Sequence, residues 1–403
     1  QRKDARGEVA VQYSYYSSGD YTGLVENVIS YGLTQLNYVY TTDSDGYATM
    51  TVTETDLINT SSPAKITVTT YDPRQNVLKT VDPLGNLWSN EYTDSLNPYL
   101  VTRATDPNLQ HTDYTYDSQG NVKSVTDAYL NVTTLVYAQE TESPLNPKHR
   151  NLVNQIIRPS ILVGGVATNY STYLYYDANG NLNQVKDAKN QSAYYAHRPD
   201  GRLSSVADRN GHITSFDYSP FSNGVSNLGN LTKITSPSGP NGAPAREVHF
   251  AYDLYDNLLS VTDALGHSIS YQWDLNSRMT RTTDAYGKYV ENTIVQGLLD
   301  HVTLPTNQGS SSNRRQTRFT YDDPGRVLQV LSSINATQEQ MRVRYEYDSF
   351  DRVTKLARLK SGTEKSFLFE YDILDRQTSS KDPLLRETTT AYQPFCKSYT
   401  QTS

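Results

Sequence analysis

The chain of 403 residues contains one cysteine, Cys396. One thiol excludes an intramolecular disulfide framework and any cysteine-based zinc site, and it leaves the compartment open. Charge is also scarce: charged residues are 20%, the formal net charge is −7, and no run of Lys or Arg occurs. That balance argues against a nucleic-acid surface. No segment approaches the ~18–20 consecutive apolar residues of a membrane-spanning helix. No signal peptide is visible, and the chain starts Gln1-Arg2-Lys3 without Met. It closes on Tyr399-Thr400-Gln401-Thr402-Ser403 without a cap-like signal. A piece of a longer polypeptide is therefore expected.

Hydrophobic residues are 36%, and even with the 22 glycines the total stays below the ~45–50% of an average globular chain. The excess lies in Tyr, of which there are 33, and in Thr, Ser and Asn. Strand formers mixed with turn formers indicate an all-β chain. Aromatics at 11% and a small net charge argue against disorder. By length alone the chain would make two or three domains. A repeat array escapes that arithmetic, because length then counts copies.

Such an array is present, and it is clearest between Tyr252 and Gly287. Tyr252-Asp253 matches Trp273-Asp274, 273 − 252 = 21 residues on. Asp263-Ala264-Leu265-Gly266 matches Asp284-Ala285-Tyr286-Gly287 at the same distance, 284 − 263 = 21. The phrase is plain from Tyr71-Asp72, which leads to Asn76-Val77 and Asp82-Pro83-Leu84-Gly85. Tyr116-Asp117 leads to Gly120-Asn121-Val122 and Asp127, and Tyr176-Asp177 to Gly180-Asn181-Leu182 and Asp187. His197-Arg198 follows 197 − 176 = 21 residues later with Gly201-Arg202-Leu203 and Asp208. Tyr321-Asp322 with Gly325, Tyr347-Asp348, and Tyr371-Asp372 with Asp382 are further copies, at looser spacings of 347 − 321 = 26 and 371 − 347 = 24. Self-similarity at a fixed period is the mark of a repeat protein. Residues 1–70 read as degenerate Tyr-rich β repeats, with Asp43-Ser44-Asp45-Gly46 turning a hairpin. Residues 71–403 read as the array, with loop insertions near 143–165, 236–244 and 306–315.

Each copy carries two turn signals about ten residues apart. In the first, as in Asp117-Ser118-Gln119-Gly120-Asn121, the aspartate accepts from backbone two residues on, and Gly or Asn supplies φ > 0. In the second, as in Asp82-Pro83-Leu84-Gly85, proline presets φ before the glycine. One copy is thus about one hairpin. A lone hairpin is marginal in water, so copies must pair into a long antiparallel sheet, which strand twist will coil. Val122 and Val125 fall on opposite faces of an ideal strand; a bulge, or burial on both faces, would account for that.

The phrase Y-D-x-x-G-R/N-L-x-x-V-x-D-x-x-G-x-x-x-x-x-x-Y resembles the RHS/YD repeat. That repeat occurs in bacterial Rhs proteins, the B and C components of Tc toxin complexes, wall-associated contact toxins and animal teneurins. The resemblance covers about Tyr71 to Tyr392 and is clearest at Gly120-Asn121-Val122, Gly201-Arg202-Leu203 and Gly325-Arg326-Val327. It implies a coiled antiparallel sheet forming part of a hollow shell or spiral. In bacterial members it implies a C-terminal toxin polypeptide enclosed by that shell and released by self-cleavage. The longer core motif that precedes the cleavage site in those proteins is not found here, so no protease or toxin activity carries over.

Other chemistry is weakly represented. None of the histidines (His111, His149, His197, His212, His249, His267 and His301) forms H-E-x-x-H or another close pair with a carboxylate. Asp43-Ser44-Asp45-Gly46 resembles a calcium loop, but Thr41 and Val52 stand where ligands would be needed. The recurring aspartates, Asp106 among them, follow the turns, whereas a glycosidase pair would be unique. Gly164-Gly165 has no following Lys-Ser/Thr, no G-x-S-x-G occurs, and Cys396 has no evident activating partner. N-x-S/T triplets at Asn59, Asn131, Asn169, Asn190, Asn230 and Asn335 are near chance in so polar a chain. The tyrosines suit cross-strand packing better than sugar stacking.

The expectation is a non-enzymatic structural shell module of a large secreted or delivered bacterial protein, enclosing a toxin or other passenger. The alternative is an extracellular surface or filament protein in adhesion or carbohydrate binding. No cofactor or metal is expected. Expected partners are further repeats of the same or a longer polypeptide, an enclosed passenger or neighbouring subunits, and a surface glycan.

Overall fold

The computed structural model describes residues 2–3, 9–163, 166–219, 229–239, 244–305, 315–335, 338–360, 363–392 and 399–402. Cys396, Gly164-Gly165, residues 240–243 of the 236–244 stretch and residues 306–314 of the 306–315 stretch lie outside them. The described residues are almost wholly β. The exceptions are a helix at Ala138–Thr141 and a single 3-10 turn at Pro147–His149. The chain divides into two compact units, one of residues 1–93, 103–111 and 291–403, the other of residues 94–102 and 112–290. Within each, strands neighbouring in sequence pair antiparallel, as the hairpin reading requires.

The repeat of residues 252–289 shows how the pattern becomes structure. Glu247–Tyr252 pairs with Leu258–Thr262, which pairs with Ser268–Trp273, which pairs with Met279–Thr283. Register is regular from His249↔Thr262 to Ala251↔Ser260, then jumps to Tyr252↔Leu258. Leu259 is therefore an extra residue, a β-bulge. The bulge returns Leu258 to the face that carries Val261, together with Tyr252 and Phe250. The same jump puts Val122 opposite Tyr116 and Val125 opposite Tyr114, so of the two explanations the bulge is the one realised. It recurs at Tyr71↔Val77, Tyr176↔Leu182, His197↔Leu203, Trp273↔Met279, Tyr321↔Val327 and Tyr347↔Val353.

One expectation is corrected. The stretch near 143–165 is not all loop: Val153–Val163 is a strand and pairs with Val166–Tyr176. Pro159 suggested a loop, yet it falls in a register irregularity between Arg158 and Ile161, where no ladder N–H is needed. The true insertion is the short helical segment at 138–152.

Turns close by one geometry with two kinds of residue at the fourth position. Gly85, Gly120, Gly180, Gly201, Gly266, Gly287 and Gly325 have φ between 76° and 93°. Gln75, Leu130, Asn190, Asp256, Ser277 and Leu385 hold the same left-handed region at φ 56–67°. An added Cβ at Gly266 would meet nothing within 4 Å, so only backbone strain opposes a side chain there. Gly266→Val is expected to lower stability by about 1–2 kcal/mol. Leu385→Gly, which removes comparable strain, is expected to cost nothing or to gain less than about 1 kcal/mol. Urea midpoints of the two variants against the parent check both signs.

Candidate functional site

Three polar devices hold one edge of each unit together. The first is the aspartate that opens each turn. Asp253 Oδ1 accepts from the backbone N–H groups of Tyr255 at 2.8 Å and Asn257 at 2.9 Å. Its Oδ2 accepts from the Asn257 amide at 2.9 Å. Asp72, Asp117, Asp127 and Asp177 repeat that arrangement with Asn76, Asn121, Asn131 and Asn181. Asp274, Asp322, Asp348, Asp372 and Asp382 use the arginine four residues on, and Asp208 and Asp263 use His212 and His267, so the expectation that no histidine pairs closely with a carboxylate is corrected. Asp82 takes Asn86, while Asp106, Asp187 and Asp284 bind backbone alone at that position. Where Arg198 replaces the aspartate, Asp200 takes over and accepts from Arg202 Nη2 at 2.7 Å. The amides of Asn131, Asn181 and Asn257 hold Asp127, Asp177 and Asp253 below their ordinary pKa, and the Arg386 guanidinium does so for Asp382.

The second device is a latch. Ladder pairing of Val122–Thr126 with Val132–Tyr137 starts at Ser124, two residues in, because of the bulge. The Val122 carbonyl is left over, and the Tyr137 hydroxyl donates to it at 2.8 Å. Tyr92, Tyr116, Tyr176, Tyr321, Tyr347 and Tyr371 make the equivalent bond to the carbonyls of Val77, Val101, Val153, Leu299, Val327 and Val353. Trp273 supplies its indole N–H to Leu258 at 2.8 Å. A half-buried carbonyl outside the ladder gains from a donor, so the position favours an aromatic that carries one over phenylalanine.

The third device ties one turn to the next. Arg326 reaches from its own Asp322 to the Asp348 carbonyl at 3.0 Å and the Asp351 carboxylate at 2.7 Å. Arg352 does the same to Asp372 and Asp375. Both guanidiniums lie over the ring of the next latch, 4.7 Å from Tyr347 and 5.0 Å from Tyr371. Asn97 serves the Asp117 carbonyl, and the buried His149 serves that of Asp177 at 2.7 Å. The other ring nitrogen of His149 lies 2.8 Å from Glu142 Oε1. With an acceptor at each nitrogen the imidazolium is favoured. The Asp177 carbonyl first, then Glu142, raise the pKa of His149 above 6.5.

One face of the second unit's strands is apolar and, apart from the exposed Ile269, half-buried. The rows Leu174–Val185–Ala193, Tyr195–Val206–Thr214, Phe216–Ile234–Val248 and Phe250–Val261–Ile269 share a side, because opposed residues share a face. The other side carries Tyr175, Gln184, Tyr194, Ser205, Lys233 and Ser260. Among the described residues no large side chain is fully buried, and the buried apolar ones are Ala10, Tyr137, Ala138 and Ala357. The chain exposes 25238 Å².

In the first unit, residues 56–65 rest on the turns at 348–352 and 372–376. Lys65 Nζ binds both Asp375 oxygens at 2.9 Å and sits 3.9 Å from the Phe350 ring centroid. Asp56 accepts from Ser349. An open cavity of about 460 Å³ lies beside this seam, lined by Leu33, Ile58, Arg326, Arg352, Phe369 and Tyr371 among others.

The sequence singled out the turn aspartates, glycines and tyrosines, and the structure places them along the edges of the sheet. Each turn aspartate is held by its own turn, and none of the described residues forms a cluster of three or more His, Cys, Asp or Glu able to hold a metal. Among the described residues no helix is long and apolar enough to cross a membrane. The side chain four residues after each aspartate, and His149, went unrecognised. The first had a signal, a polar donor at that position in copy after copy.

Residues 252–289 match the family model for the RHS repeat. No curated protein matches the chain. Among solved structures, the chain is similar to TcdB2-TccC3 without its hypervariable C-terminal region, at 12% identity and a TM-score of 0.44, over 96% of this chain and 21% of that one. It is also similar to the Photorhabdus luminescens Tc holotoxin pore, at 12% identity and TM-score 0.18, over 92% of this chain and 29% of that one. A porin-like protein from Bacteroides uniformis is similar at 12% identity and TM-score 0.21, over 70% of this chain and 92% of that one. The chain thus spans about a fifth of the length of TcdB2-TccC3.

Two expected outcomes follow from the latch and the histidine. Tyr347→Phe strands the Val327 carbonyl and is expected to cost about 1–2 kcal/mol, read as a shift in urea midpoint. The raised pKa of His149 means its contribution is complete below about pH 6.5 and is lost as pH rises through the folded value. Between about pH 6 and pH 9 the urea midpoint of the parent should therefore fall more than that of His149→Gln. Equal slopes would rule the histidine out as the cause. The depressed turn aspartates act in the opposite direction, their contribution being lost as pH falls below about 4.

Proposed function

We propose that the chain, whose residues 252–289 match the RHS repeat, is an array of such repeats and a structural wall whose apolar face covers a passenger polypeptide. The observation that carries this reading is the half-buried apolar face. A sheet with Leu174, Val185, Val206, Ile234, Phe250 and Val261 on one side leaves each of them only partly covered, so a further layer would complete their burial. The role is containment, not catalysis: the turn carboxylates each hold backbone N–H groups and have no common substrate to face. The passenger is an extended or unfolded chain, a toxin polypeptide foremost, and the setting is a secreted or delivered bacterial protein acting outside the cell or at its surface. Neighbouring repeats or subunits complete the wall.

A second reading rests on the opposite side. Tyr175 and Tyr194, 44% and 52% exposed, flank Gln184 on adjoining strands, a surface on which sugar rings could stack. In that case the chain is a surface or filament protein of adhesion.

A reduced, unfolded model polypeptide separates the two. Incubated with the chain, it is expected to co-elute and to resist protease. Val206→Asp and Val261→Asp should abolish that protection, whereas Ser205→Asp and Ser260→Asp, on the other face, should not. Equal effects from both pairs, or protection by neither parent nor variants, would refute the containment reading.

A further inference from the structure

The seam in the first unit shows how two edges of this repeat recognise each other. The connection at 57–64 lies at the opposite end of its strand, Lys65–Tyr71, from the turn that begins at Asp72. It rests on turns that begin with a Tyr-Asp pair, at 348 and 372. The receiving elements are an aromatic at the third turn position, Phe350, and an acid at the fourth, Asp375. The inserted group is Lys65, the first residue of the strand that leaves the docked edge. Asp375 already accepts from Arg352 Nη1 at 2.8 Å, so a bond from the neighbouring repeat does not block the lysine.

The same two elements recur in the second unit. The turn Asp253-Leu254-Tyr255-Asp256 offers an aromatic and an acid, and Tyr255 is 76% exposed. Asp256 Oδ1 accepts from Asn230 at 2.8 Å, as Asp375 does from Arg352. Both elements here come from one turn, because Ser277 stands at the fourth position of the next. The matching cation is on this segment too. Lys288 is exposed, immediately precedes the strand Tyr289–Val295, and stands beside Tyr286, which is 83% exposed.

These two features cannot meet within one chain. The turns at 253 and 274 are at one end of the strands, and those at 263 and 284 are at the other. Five-residue strands such as Leu258–Thr262 separate them by roughly 17 Å. We propose that the segment 252–289 associates head to tail between copies of this chain. The Lys288 edge of one copy seats on the Tyr255–Asp256 turn of the next, as Lys65 seats on Phe350 and Asp375. Such a contact is heterologous, so each copy keeps one unused half and a third can add. The inference does not depend on a passenger.

Sedimentation velocity on the whole chain, from low to high micromolar, tests it. The parent is expected to associate progressively, and more weakly in high salt, since the contact is partly ionic. Tyr255→Ala and Lys288→Ala should each weaken association by roughly tenfold. Both side chains are exposed, and matching circular dichroism confirms that each variant folds. A 1:1 mixture of the two variants has one intact pair of halves, and it should form a dimer and nothing larger. A parent that stays monomeric, variants that associate like the parent, or a mixture that stays monomeric or grows beyond a dimer would each overturn the proposal. Tyr255→Lys, which sets like charges together, must give the same loss as Tyr255→Ala.

Discussion

A single extra residue in each hairpin governs the rest of the structure. The bulge after each Tyr-Asp turn, at Leu259 in one copy and at Lys123 in another, shifts the pleat by one. Two apolar residues three apart, Leu258 and Val261, then share a face that ordinary alternation would deny them. The shift also leaves one carbonyl outside the ladder. That carbonyl accounts for the Tyr, or the Trp with its own N–H, that stands twenty-one residues after a Tyr in most copies, His197 being an exception. A bulge increases local twist, so the same feature that selects the side chains also bends the sheet.

Much of this was legible in the residues. Period, turns and antiparallel pairing follow from Asp, Gly and Tyr at fixed spacings, because turn chemistry is local. The bulge stood open between two explanations, since a strand that breaks alternation can be buried on both faces or carry an extra residue. The stretch around Pro159 misled, because proline marks a loop and a bulge equally well and only pairing partners separate them. His149 was invisible for a different reason. Its partners, Glu142 and the Asp177 carbonyl, lie seven residues back and 28 residues ahead, and no copy elsewhere repeats them.

The acids illustrate why repetition and catalysis read differently. Each turn carboxylate accepts two or three hydrogen bonds from its own turn, which lowers its pKa where a shift is resolved. A catalytic acid needs the reverse, a raised value and a unique partner. Arg326 and Arg352 are occupied in the same way, each spanning its own turn, the next turn and a tyrosine ring. Charge in this chain joins repeat to repeat.

That economy has a consequence for stability. Strands touch chiefly their sequence neighbours, so the fold sums local terms, as in other repeat arrays. With no large side chain fully buried among the described residues, the apolar term that supports ordinary domains is only partly drawn upon. The latches, clamps and turn aspartates carry correspondingly more of the load, and each contributes little alone. A layer over the row from Leu174 to Ile269 would add a stabilising term that the isolated sheet lacks.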